Sequence, residues 1–138
     1  LSATLDEVKA AYPQFELWME PGRYLVAEAG VLLARVTQVK HKQGVVFVGV
    51  DAGMHVLARP ALYEAYHAVH NLSKAGQHAD TPVTVVGQVC ESGDVLARDR
   101  LIAAPEVGDV LLFEMAGAYG AVMASQYNRR RAADEVML

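Results

Sequence analysis

A single cysteine, a single tryptophan and only 7% aromatic residues stand in this sequence of 138. Cys90, being alone, can form no internal disulfide and no cysteine-cluster zinc site, which suits a reducing cytoplasm as the expected location. No apolar run reaches the roughly 20 residues that cross a bilayer, so no membrane partner is expected. Positive charge is also scarce: 12 Lys and Arg against 16 Asp and Glu give a formal net charge of -4. The one basic cluster, Arg129-Arg130-Arg131, lies close to Asp134 and Glu135. A binder of phosphate backbones would carry the opposite balance, so nucleic acid is not an expected partner. There is no Ser-His-Asp signature and no phosphate-loop glycine run. His55, His67, His70 and His78 have no metal-ligand spacing with Cys90; they read as packing or surface residues, and no metal is expected. An initiator Met is missing too, which suggests a start within a longer protein. The opening LSATLDEVKA reads as an ordinary amphipathic helix rather than a leader.

What is present fits about one soluble domain: 53% hydrophobic and 20% charged residues. Leu1, Leu5 and Val8 recur at helical spacing until Pro13 breaks the pattern. Residues 15–19 alternate as a short strand would and end in the turn Glu20-Pro21-Gly22-Arg23. Such a helix, strand and turn resemble the last unit of an α/β barrel. A helical turn is expected over 27–31. Strands follow over 32–39, 45–50, 83–89, 110–113 and 136–138, with Gly44 turning a hairpin. Short helices are expected over 60–69 and 116–125, and a surface loop over 71–82. The division is therefore 1–23 as the end of a barrel and 24–138 as a mainly β domain. Spacing alone does not choose a sandwich from a Greek-key barrel.

Several clusters set polar groups against glycine, proline or apolar runs. Glu20 to Arg23 is either a tight turn with a solvated arginine or an anion grip, with Gly22 admitting close approach and Arg23 bidentate contact. Arg59 and Tyr63 lie four apart at a helix start, on one face, with Pro60 in the first turn; together they suit one carboxylate, or else form a surface pair. Cys90 follows a buried-looking strand, half exposed at its end. A thiol there can donate a proton, with Glu91 beside it able to accept from an ammonium; the alternative is a small buried hydrophobe next to a solvated acid. Asp94 suits a turn cap. Gly117 to Gly120 surround Tyr119 with small residues, leaving room for a planar ligand or close backbone approach. Asp51-Ala52-Gly53-Met54 reads as a structural turn.

In this order the clusters resemble the diaminopimelate decarboxylases, within the fold-type III family of pyridoxal-phosphate-dependent decarboxylases. The resemblance rests on EPGR at Glu20, AGVLL at Ala29, DAGM at Asp51, RPALY at Arg59, CESGD at Cys90, GAYG at Gly117 and Tyr127-Asn128. Two departures stand out: His55 where the family usually has Asn, and Gln126 within SQYN. The resemblance implies the C-terminal β-barrel or sandwich domain of such an enzyme, preceded by the last helix and strand of a truncated (α/β)8 barrel. It implies that Glu20, Gly22, Arg23 and Tyr119 touch pyridoxal phosphate, and that Arg23, Arg59, Tyr63, Glu91 and Tyr119 bind the amino-acid substrate. Cys90 takes the place of the proton donor. Cys90 and Glu91 would serve the site of a partner in a homodimer. The lysine that attaches the cofactor matches none of Lys9, Lys40, Lys42 and Lys74, so the chain alone is expected to be inactive. The arginines with Glu91 fit a substrate with an amino-acid group at each end, meso-diaminopimelate, decarboxylated to lysine. Alternatives are a decarboxylase of carboxynorspermidine or of the ornithine/arginine type, or a non-catalytic dimerisation or regulatory homologue. Exposed apolar surface is expected where a barrel would pack, with a tendency to associate.

Overall fold

Strand β1 (Leu32–Lys42) buries Ala34 and Val36 while Leu33 and Arg35 face outward, the two-residue alternation of a half-buried strand. In the computed structural model, which describes residues 2–138, it is the centre of a six-stranded sheet of order β3-β6-β1-β2-β4-β5. The others are β2 (Val45–Val50), β3 (Val69–Asn71), β4 (Thr81–Val86), β5 (Val95–Ile102) and β6 (Val110–Phe113). β1 pairs antiparallel with β6 through Leu32 to Arg35 and with β2 through Val36 to Lys42. A register shift between Val36 and Gln38 falls where the partners change, and such a bulge bends the strand. Gln43 and Gly44, at φ 51° and 79°, make the β1–β2 turn, for which two left-handed residues match the strand twist. β2 and β4 run parallel, joined by a crossover that contains α3 (Arg59–Tyr63) and β3.

The two ends of the sheet meet. Asn71 at the end of β3 is buried, and its Nδ2 donates to the Ala103 carbonyl just past β5 at 3.3 Å. The result is a nearly closed, barrel-like sheet. Inside lie Phe113, Leu57, Leu96, Ile102 and Leu111, all under 3% exposed. Burying each such side chain contributes about 1.5–3 kcal/mol. The closure is reinforced at Asp109, whose Oδ2 accepts from Asn71 Nδ2 at 2.8 Å and from Glu106 N–H at 2.9 Å. Lys74 Nζ adds ion pairs at 3.0 Å to Glu106 and 3.6 Å to Asp109. Hydrogen bonding to Glu106 raises the Lys74 pKa. Burial pushes the Asp109 carboxyl up, but the Asn71, Glu106 and Lys74 contacts outweigh it and hold it below the usual range.

The expected mainly β fold holds, with several local corrections. Helix α1 (Ser2–Ala11) forms and buries none of its residues; Leu1 lies outside the described residues. The segment 15–19 is no strand: among the described residues it pairs with nothing, and Trp18 is 84% exposed. Alternation without a neighbouring strand leaves the backbone groups unpaired, so no ladder forms. The same holds for 136–138, which is irregular and exposed. The Glu20–Arg23 turn leads into a helix, α2 (Gly22–Val26). Helix 60–69 stops at Tyr63, because Glu64 turns left-handed at φ 53°. Over 116–125 only Ala121–Met123 forms a 3-10 turn, after left-handed Tyr119. Strand β4 ends at Val86, and Val89 instead wraps onto Asp94. β3 and β5 leave no mark in the sequence: the three residues of β3 carry no period, and Arg98-Asp99-Arg100 interrupts the apolar texture of β5. β3 and β4 also shorten the expected loop 71–82 from both ends. Among the described residues no helix is long and apolar enough to cross a membrane.

Candidate functional site

Close backbone packing brings α2 to the loop after β6. Gly117 N–H donates to Ala27 O at 3.0 Å, and Ala116 N–H to Gly30 O at 2.8 Å. A Cβ on Gly117 would sit 2.1 Å from Val26 O, and one on Gly30 would sit 2.6 Å from Gly117 Cα. Only glycines allow that approach. It places Tyr119 in the lining of the same hollows as Arg23. From the other side α3 presents Arg59, whose guanidinium lies 5.7 Å from the centroid of the Tyr119 ring, within cation–π range.

Two adjoining open hollows result, and they share Arg23 and Tyr119. One, of about 440 Å³, is lined by Glu20, Pro21, Arg23, Tyr24, Glu28 and Tyr119, among others. The other, of about 470 Å³, includes Arg23, Arg59, Tyr63, Ala65, Tyr119 and Met123. Glu20, Arg23, Arg59, Tyr63 and Tyr119, scattered in the sequence, thus converge. Gly22 sits at the start of α2, where a Cβ would meet nothing within 4 Å, so its backbone is open to a ligand. Two guanidiniums, three phenols and an exposed backbone edge at Gly22 suit an anionic, planar ligand. No lysine lines either hollow.

Cys90 and Glu91 line neither hollow. Both are exposed, and Cys90 stands in the β4–β5 loop rather than at a strand end. Asp94, 3% exposed, organises that loop. Its carboxylate accepts from Met54 N–H at 2.6 Å and Val89 N–H at 2.7 Å. A Cβ on Gly53 or Gly87 would fall 2.7 Å or 2.2 Å from the Asp94 carboxylate. Gly53 is therefore structural, as its turn suggests, and Asp94 caps its loop as expected. The Tyr127 hydroxyl donates a hydrogen bond to Glu91 Oε1. That bond is the largest cause of the raised Tyr127 pKa, followed by the charge of Glu91, burial and the charge of Cys90.

Of the histidines, His55 and His67 are buried. The His67 ring bonds through Nδ1 to Glu114 O at 2.8 Å, while its Nε2 has no partner. Burial lowers its pKa, outweighing the Glu114 bond, and the nearby Arg59 charge lowers it further. Sequence reasoning missed this link to Arg59, the Tyr127–Glu91 bond and the part of Met123 and Glu28 in the lining. Nothing in the spacing signals them: Tyr127 and Glu91 lie 36 positions apart.

Residues 23–117 match the family model for the C-terminal sheet domain of pyridoxal-dependent decarboxylases. The chain belongs to this family. It is 47% identical over 144 aligned residues to the diaminopimelate decarboxylase of Archaeoglobus fulgidus, covering 96% of this chain and 34% of that protein. It is 50% identical over 125 residues to that of Neisseria meningitidis, covering 91% of this chain and 30% of that protein. A crystal structure of diaminopimelate decarboxylase from M. jannaschii in co-complex with L-lysine superposes with a TM-score of 0.78 at 42% identity, covering 90% of this chain and 29% of that one. The chain thus spans about a third of the length of the curated relatives it matches. Within this decarboxylase sheet domain, the matched stretch holds Arg23, Arg59, Tyr63, Cys90 and Glu91. Glu20, Gly22 and Tyr119 lie just outside it.

Proposed function

We propose that the chain is the C-terminal third of a cytoplasmic diaminopimelate decarboxylase, converting meso-2,6-diaminopimelate to L-lysine and carbon dioxide as a homodimer. Residues 1–23 are the tail of its cofactor-binding barrel, and 24–138 form the sheet domain. The observation that carries the reading is the convergence of Arg23, Arg59, Tyr63 and Tyr119 around adjoining hollows. The exposed apolar side chains Phe15, Trp18, Tyr24 and Leu25 suit a surface covered by the rest of the barrel.

Pyridoxal phosphate, when bound, supplies the electron sink for loss of carbon dioxide. The open backbone at Gly22, with Glu20, Arg23 and Tyr119, fits one edge of it, and its attachment lysine comes from the preceding part of the protein. Arg23 and Arg59 grip carboxylate, with Tyr63 adding a phenol donor. Cys90 returns a proton to the carbon that lost the carboxylate. Glu91 accepts from the distal ammonium. Cys90 and Glu91 serve the partner subunit's site, away from the hollows of their own chain.

The test uses the full-length enzyme. Cys90→Ala should lower kcat by about 10²–10⁴-fold, the usual worth of a positioned acid; wild-type turnover would defeat the proton-donor role. Mixing Cys90→Ala with Arg59→Ala subunits should restore about a quarter of wild-type activity, since half the dimers are mixed and one of their two sites is intact. No recovery would defeat the shared site.

A further inference from the structure

The loop that carries Cys90 and Glu91 is held from two directions, and both lead to the turn at 53–55. Its backbone is held through Asp94, which accepts from Met54 N–H on that turn and from Val89 N–H on the loop, and whose own N–H donates to Glu91 O at 3.1 Å. The side chain of Glu91 is held through Tyr127. Tyr127 belongs to a segment fastened to the same turn, because Ser125 N–H donates to His55 O at 2.8 Å. After Tyr127 the chain turns sharply, with Asn128 and Arg129 both left-handed at φ 54° and 57°. Arg130 N–H closes that turn on Tyr127 O at 3.1 Å. The phenol is therefore not a loose surface group, although Tyr127 is 46% exposed.

We propose that Tyr127 is a positioning residue: its hydroxyl occupies one oxygen of Glu91 and so presents the other to the distal ammonium of the substrate. The inference rests on the proposed role of Glu91 as the acceptor for the distal ammonium. Its physical content is pre-organisation. A glutamate has three rotatable bonds, and an exposed one loses that freedom when it binds a ligand. A carboxylate already held by a phenol has lost part of it before the ligand arrives. Tyr127 donates once and Glu91 retains its second oxygen, so the pair still accepts from a cation. The raised Tyr127 pKa, caused first by the Glu91 bond and also by the charge of Cys90, fits a phenol that stays protonated as a donor. A phenylalanine here would fill the same space and lose only the donor.

The test is steady-state kinetics of the full-length holoenzyme with Tyr127→Phe, Glu91→Gln and the double variant. Tyr127→Phe should raise KM for the double-ended diamino acid by about two- to tenfold, the loss expected when one rotamer-rich side chain must be ordered on binding rather than beforehand, with kcat within about twofold. In the Glu91→Gln background the same change should add less than about twofold, since the two residues act through one contact. If Glu91→Gln raises KM and Tyr127→Phe does not, the positioning role is overturned while the role of Glu91 stands. If Glu91→Gln leaves KM unchanged, the role of Glu91 fails and the inference falls with it. A fall in kcat at constant KM in Tyr127→Phe overturns it in favour of a part in the chemical step. Alkaline titration of phenolate absorbance, wild type minus Tyr127→Phe, is an independent readout. Tyr127 should ionise above the ordinary tyrosine range, and ionisation within that range would overturn the hydrogen bond itself.

Discussion

Replacing Gly117 by alanine should loosen the contact that places Tyr119 in the hollows with Arg23, and its cost can be worked from the backbone. The added methyl would lie 2.1 Å from Val26 O, 2.7 Å from Gly30 N and 3.1 Å from Ala27 O. All three are main-chain atoms, so no side chain can swing aside. The loop after β6 must move back, which stretches Gly117 N–H to Ala27 O and Ala116 N–H to Gly30 O, now 3.0 Å and 2.8 Å. Each such bond contributes about 1 kcal/mol net, and forced overpacking costs about 1–3 kcal/mol. With the two bonds stretched and about half their worth lost, a destabilisation of about 2–4 kcal/mol is expected. With a urea slope of about 2 kcal/mol/M, the middle of the usual range, the midpoint should fall by roughly 1–2 M. Far-UV circular dichroism is the suitable probe, because Trp18 is exposed outside the sheet and reports poorly on it. Gly93→Ala is the control: a Cβ there meets nothing within 4 Å, so its midpoint should stay near wild type. If Gly117→Ala unfolds at the wild-type midpoint, the close approach of the two loops is not what holds Tyr119 in place.

Gly22→Ala separates stability from binding. A Cβ at Gly22 meets nothing within 4 Å and alanine favours a helix start, so the urea midpoint should hold or rise, while pyridoxal phosphate retention by the full-length enzyme on dialysis should weaken; unchanged retention would remove Gly22 from the cofactor site. Asn71→Ala should cost about 2–3 kcal/mol, because it removes a bond to the Asp109 carboxylate and one to Ala103 O; hydrogen exchange should quicken first at the β3 and β5 edges, and uniform quickening would count against closure there. Stability should fall as pH drops below 6.5, the ordinary histidine value. His67 has a lowered folded pKa, so the unfolded chain binds its proton first, and the stabilisation present above pH 6.5 is lost as pH falls through the folded value. His67→Phe should flatten that part of the urea-midpoint profile, and an unchanged slope would assign it elsewhere. Asp109 acts in the same sense at lower pH: its stabilisation is present above 3.8 and lost as pH falls through its lowered folded value.

Much of the sheet is legible in the sequence because burial on one or both faces leaves a local mark. β2 appears as a valine-rich run, VVFVGV, and β6 as the apolar run VLLF, both at their observed bounds. β1 appears through its alternation. β5 does not, because Asp99 takes φ 51° within a charged triplet that faces largely outward, and an outward face carries no apolar signal. Residues 15–19 show the opposite error. Their alternation is real, but a strand is a relation between segments, and none lies beside them. The site divides in the same way. Arg59 and Tyr63 declare a shared face by helical spacing. That Tyr119 meets them depends on two glycines pressing distant loops together, and no local pattern encodes it. Asp94 is a middle case: a turn acid is recognisable from the glycine before it, but its hold on Met54 is a long-range contact.

The two groups of candidate residues have complementary shortages. Around the hollows there are guanidiniums, phenols and an open backbone edge, which can hold an anion and a ring, but Cys90 is not among the lining residues. The β4–β5 loop offers a thiol and a carboxylate but no cation or aromatic of its own, and Tyr127 reaches it from the C-terminal segment. Each group is fixed by its own device: paired glycines at the hollows, and buried Asp94 under the loop. Devices this costly to disturb imply that each half must be held accurately, yet neither half is a complete site. A decarboxylating site needs both a cradle for the anionic ends and an acid for the carbon left behind. In a symmetric pair one operation brings the loop of each copy to the cradle of the other and completes both sites at once. That economy is the physical argument for the proposed homodimer, and it explains why the loop is exposed while its foundation is buried.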